Sequence, residues 1–165
     1  MEFANKLSFN LKWDYKNISF FIVLLALPNL LGSINLSTPF GFKIHFFQLA
    51  VFLAAAIYGP YAGLMSGLFG SVYSAFVMHN PYIIIGNAIL GFFAGLFIRY
   101  GFNTIIAVAL AYVIQLPWLV LSDYYLAGLS FVFIYKLVIA LTISNMLWAV
   151  IAHYTAKPLK KALRC

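Results

Sequence analysis

The chain has 165 residues, of which 65% are hydrophobic and only 8% charged, against roughly 25% charged in an average soluble domain. Ten Lys and Arg against three Asp and Glu give a formal charge of +7, yet between Lys43 and Lys136 only Arg99 and Asp123 carry charge. That spacing excludes a sizeable soluble domain and a basic nucleic-acid face, and the lone cysteine, Cys165, excludes an internal disulfide.

Residues 1–18 are polar, mixed in charge and interleaved with Phe3, Phe9 and Trp13, as in a short interfacial segment. A bilayer core of about 30 Å takes about 20 apolar residues in a helix. Counted in those units, the rest predicts an all-α membrane domain over 19–154, with a basic tail at 155–165. The six spans fall at roughly 18–35, 44–58, 60–79, 82–99, 104–122 and 130–154. The first apolar run is too long for a cleaved signal peptide and is expected to stay.

Six spans place the N-terminal segment, Arg99 and the tail residues Lys157, Lys160, Lys161 and Arg164 on one side, with eight of the ten basic residues. The positive-inside rule makes that side, and both termini, cytoplasmic. The loops 36–43, 79–82 and 122–130 then face outward, where Asn35, Ser37, Thr38, Lys43 and His45 gather with the residues considered below.

In the third and fourth spans Gly59, Gly63 and Gly67 recur every four residues, as do Asn87, Gly91 and Gly95. Such stripes let helix backbones approach closely in lipid, so Gly63, Gly67, Gly91 and Gly95 are predicted packing positions. Pro60 and Pro81 open helices, Pro39 lies in a loop and Pro158 follows the last span, where a missing amide hydrogen costs little. Pro28 and Pro117 fall inside spans and must free carbonyls that something else satisfies.

Lys136 lies about six residues, or about 10 Å, into the last span. An intramembrane cation marks a functional site by default, although a lysine this shallow could also snorkel to the interface. Asp123 could pair with Lys136, bind a cationic group or sit in a wet loop. Asn87, Asn145, Gln48 and Gln115 are amides within spans, for which helix-to-helix hydrogen bonding is reason enough. Asn87 lies nearest the His79-Asn80-Pro81 hinge and has the better claim to a cavity. Trp118, Tyr124, Tyr125, Tyr135 and Tyr82 form an aromatic group at the outer level, a pattern that interfacial belts also produce. His45 and His79 have no metal-ligand spacing, so neither metal nor cofactor is expected. No Walker loop, HExxH, GxSxG or carboxylate pair occurs, which disfavours an enzyme.

The runs FQLAVFLAAAIYGPYAGLMSGLFGSVYSAF and NPYIIIGNAILGFFAGLF resemble the substrate-binding S components of energy-coupling factor (ECF) transporters. Gly59, Pro60 and Gly63 stand at that family's Gly-Pro-x-x-Gly turn, Gly91 and Gly95 at its G-x-x-x-G helix, and Lys136 where its last helix often carries a lysine. The resemblance implies a six-helix subunit of the prokaryotic plasma membrane that captures a vitamin-like molecule from outside. Its substrate contacts would come from Lys136, Asp123, Asn87, Asn80, Trp118, Tyr124, Tyr125, Tyr135 and His79. It also implies a transmembrane coupling protein and two ATPases as partners. The family's first-helix A-x-x-x-A stripe is missing, leaving Ala50 and Ala54 as the nearest partner-binding substitute, and Phe133-Ile134-Tyr135 lacks the usual proline before the lysine. The alternative is a polytopic scaffold of the cell envelope, with a stable protein partner and no small ligand.

Overall fold

The computed structural model describes residue 7 and residues 9–34, 36–37 and 43–164. The expectations for Phe3, Asn35, Thr38, Pro39 and Cys165 lie outside them. The described chain is helical apart from one two-residue ladder: α1 (Tyr15–Gly32), β1 (Leu36–Ser37), β2 (Lys43–Ile44), α2 (Gln48–Tyr58), α3 (Pro60–Gly70), α4 (Val72–Val77), α5 (Tyr82–Arg99), α6 (Thr104–Leu121) and α7 (Phe131–Leu163). A π-helical turn, Ser122–Leu126, continues α6. Four segments are long and apolar enough to cross a membrane: Tyr15–Gly32, Tyr82–Arg99, Thr104–Leu126 and Phe131–Leu163. At 11 residues, α2 spans only about 16 Å. The predicted third span is broken at Ser71 into α3 and α4.

Side chains cap three of the helices at their N-terminal ends. Asp14 caps α1 by accepting from the Asn17 amide at 2.9 Å, Asn103 caps α6 through the Ile106 amide at 2.9 Å, and Ser130 caps α7 through the Phe133 amide at 3.3 Å. Gly59 turns α2 into α3 at φ 101°, a conformation that a side chain would strain. Pro28 lies inside α1 as expected. The carbonyl it frees, that of Leu24, accepts from the buried Ser66 hydroxyl at 2.7 Å. Asn29 bridges the α3–α4 break: its side-chain nitrogen donates to the Phe69 carbonyl at 2.8 Å, and its oxygen accepts from the Tyr73 amide at 2.9 Å. One residue of α1 thus serves an orphan acceptor and an orphan donor.

The centre of the bundle is the crossing of α3 and α5. A Cβ on Gly63 would collide with the Gly91 carbonyl, one on Gly67 with the Asn87 carbonyl, and one on Gly95 would lie 2.6 Å from the Pro60 Cα. These backbones are in direct contact. Ala50 and Ala54 are fully buried within the chain's own core, beside Phe52 and Tyr58. The expectation that they offer a partner a surface is therefore corrected: α2 is enclosed by the other helices, and its small residues serve internal packing.

Pro158 does not end the last helix, since α7 runs through it to Leu163. The N-terminal segment supplies the reason. Lys12 donates to the Arg164 carbonyl, Lys16 to the Ala162 carbonyl at 2.8 Å, and Asn17 to the Leu163 carbonyl at 3.1 Å. These bonds satisfy the terminal carbonyls, and cations suit the negative end of the helix dipole. The Asn10 amide and Arg99 both donate to the Tyr58 carbonyl, at 3.0 and 3.4 Å, which gathers the basic residues at one end of the molecule.

Candidate binding cavity

Away from that basic end lies a cavity of about 430 Å³, within the usual range for small-molecule sites. Its wall comes from the end of α1, the approach to α2, and α4, α5, α6, the π turn and α7, while α2 and α3 contribute none of it. Those two helices belong to the packed core, and residues of α4 and of the α5 start form part of the wall.

Lys136, Asp123, Asn87 and Trp118 all line this cavity. Lys136, one and a half turns into α7, is exposed rather than sunk in the core. Asp123 is 4% exposed, which removes the wet-loop reading. Its carboxylate accepts a 2.6 Å bond from the Asn80 side chain, and Asn80 in turn accepts from the Tyr82 amide at 3.1 Å. A buried carboxylate needs such partners to offset its lost hydration. Trp118 donates from Nε1 to the Tyr82 carbonyl at 3.1 Å, so the α5 start also fixes the indole.

Asn80 is 1% exposed and is not part of the wall. Its expected direct contact becomes a positioning bond to Asp123. Tyr124, Tyr125, Tyr135 and His79 do not line the cavity either, and all four are exposed. Helical geometry explains this, because consecutive residues diverge by about 100°. With Lys136 on the cavity side, Tyr135 points away. In the π turn Asp123 turns inward while Tyr124 and Tyr125 turn outward, their rings packed edge to face at 4.9 Å. His79 occupies a left-handed turn at φ 51°.

The deeper wall carries amides. Asn87 donates to the Ser71 hydroxyl at 2.8 Å, Ser71 donates to the Gly67 carbonyl at 2.6 Å, and Gln115 donates to the Asn87 oxygen at 3.4 Å. Gly86, also in the wall, leaves room for Gln115 and Trp118, either of which an added Cβ would approach to 3.3 Å. His45 and Phe47 enter from the segment before α2, which is pinned to α7 because Trp148 donates to the His45 carbonyl at 2.6 Å. The sequence signal for Gln115 and Gly86 was available, a lone amide and a glycine within apolar runs, but helical phase alone does not say which faces meet. No cluster of metal-ligating side chains occurs among the described residues.

The cavity therefore combines apolar and aromatic walls with one cation, one buried carboxylate and a row of amides. It suits a small molecule that has both apolar and polar groups. The model of the family described as "ECF-type riboflavin transporter, S component" matches residues 12–164. No curated protein and no solved structure matches the chain.

Proposed function

Because the chain belongs to the ECF-type riboflavin transporter S-component family over residues 12–164, and so is an integral membrane transporter subunit rather than an enzyme, we propose that it captures riboflavin in this cavity. The supporting observation is the meeting of Lys136, Asp123, Asn87 and Trp118 around one space of about 430 Å³. The apolar wall and Trp118 suit the flat isoalloxazine ring, Asp123 accepts from hydroxyls, and Lys136 donates to ring carbonyls or hydroxyls. Asn80 holds the Asp123 carboxylate in place.

The six predicted spans each cross the bilayer, α2 together with the non-helical residues 44–47 before it and α3–α4 as one broken span. The basic end with Lys12, Lys16, Arg99 and Lys160 faces the cytoplasm, as do both termini, and the cavity opens outward. A transmembrane coupling protein and two ATPases complete the transporter, as the energy-coupling family implies. The partner surface lies on lipid-facing residues, since Ala50 and Ala54 are enclosed.

Native mass spectrometry of protein purified from riboflavin-fed cells tests this. One riboflavin per chain, lost in Asp123→Ala, is the expected spectrum; a different compound at full occupancy would replace the substrate assignment. A ligand-free protein with a stable protein partner would favour the scaffold.

A further inference from the structure

Resting on the reading that this cavity holds the substrate, we infer that Gln115 reads a hydrogen-bond donor on the substrate's innermost edge and so sets specificity. Gln115 is 3% exposed and lines the cavity, yet its Oε1 has no hydrogen-bond partner among the described residues. Buried acceptors are rarely left so, and one in a ligand cavity points to a donor that arrives with the ligand.

The direction of the neighbouring bonds makes this oxygen an acceptor. Side-chain amides can be turned end for end, so their orientation must come from the network. Here the network starts at the Gly67 carbonyl, which can only accept. Ser71 donates to it, so the Ser71 oxygen is left to accept from the Asn87 nitrogen. That places the Asn87 oxygen toward Gln115, whose nitrogen donates to it. The polarity runs one way through three side chains, and the Gln115 oxygen is what remains.

The surroundings favour a flat edge at this point. Gly86 has no side chain to fill the space beside Gln115, and the Trp118 indole is held by its bond to the Tyr82 carbonyl. A planar ring carrying an N–H, as in an imide or lactam, presents the complementary donor. Riboflavin has such an imide N–H between two carbonyls, and N3-methylriboflavin lacks it.

Binding of riboflavin and N3-methylriboflavin to wild-type protein, Gln115→Met and Gln115→Glu provides the test. Wild type is expected to prefer riboflavin by about tenfold to a hundredfold, the range for one buried hydrogen bond. Met keeps the length but has no oxygen, and should bring the preference below about threefold by the same scale. Glu keeps the acceptor and should retain most of the preference, which loss of bulk or fold would not. Undiminished preference in Gln115→Met, or equal loss in both variants, overturns the role of Gln115 alone. Failure of the wild type to bind riboflavin overturns the substrate reading and the inference together.

Discussion

Asn80 and Asp123 divide one task between them, the carboxylate lining the cavity and the amide holding it from behind at 2.6 Å. Asn80→Ala is therefore expected to weaken riboflavin binding about tenfold through a misplaced Asp123. Tyr135→Ala, on an exposed side chain outside the cavity, should change it less than about twofold on the same scale. Isothermal titration of both variants checks this, and equal losses would contradict the placement. At the other end, hydrogen bonds from the Asn17 amide and side chain hold the Asp14 carboxyl below its ordinary value of 3.8. A carboxylate with a lowered value stabilises the fold above the ordinary value, and the effect fades as pH falls through the lowered one. Hydrogen-exchange protection in the first turn of α1, taken relative to the intrinsic rate at each pH, should thus fall only in that acid range for wild type. Asp14→Ala should show the lowered protection already at neutral pH.

Among the elements, α1, α3 and α5 carry the most specific fit. Ser66 donates to the carbonyl that Pro28 frees, and Ser66→Ala would leave a buried acceptor unpaired, at a cost of about 1–3 kcal/mol. Gly63→Ala would place a methyl group against the Gly91 carbonyl and force the helices apart, costing about 1–3 kcal/mol or more. Thermal unfolding in detergent should show both losses, with Gly101→Ala, beside open space but at φ 95°, penalised only by its backbone. Much of this was legible in the sequence, because glycine spacing, helix-opening prolines and internal Pro28 each have a local physical meaning. The extent of α7 was not, since its last turn depends on Lys12, Lys16 and Asn17 from the far end of the chain. Nor was the break at Ser71, where Asn29 of another helix satisfies the exposed backbone groups.

For the molecule as a whole, the sequence conveyed an all-helical membrane domain through apolar length and sparse charge, and the family through its glycines. It did not convey which aromatic residues turn inward, because a one-residue change in helical phase separates Lys136 from Tyr135 and Asp123 from Tyr124. The resulting division is clear: α2, α3 and the glycine-rich part of α5 form a closely packed core, and the cavity lies outside it, away from the basic end. Fluorescence titration of riboflavin against the purified chain in lipid nanodiscs, wild type beside Lys136→Met, tests the central claim most directly. Saturable one-to-one quenching in wild type is expected, with affinity lower by about tenfold to a hundredfold in the variant, the range for one charge-assisted hydrogen bond. No saturable quenching in wild type, or unchanged affinity in a folded Lys136→Met, would contradict the assignment of this cavity as the riboflavin site.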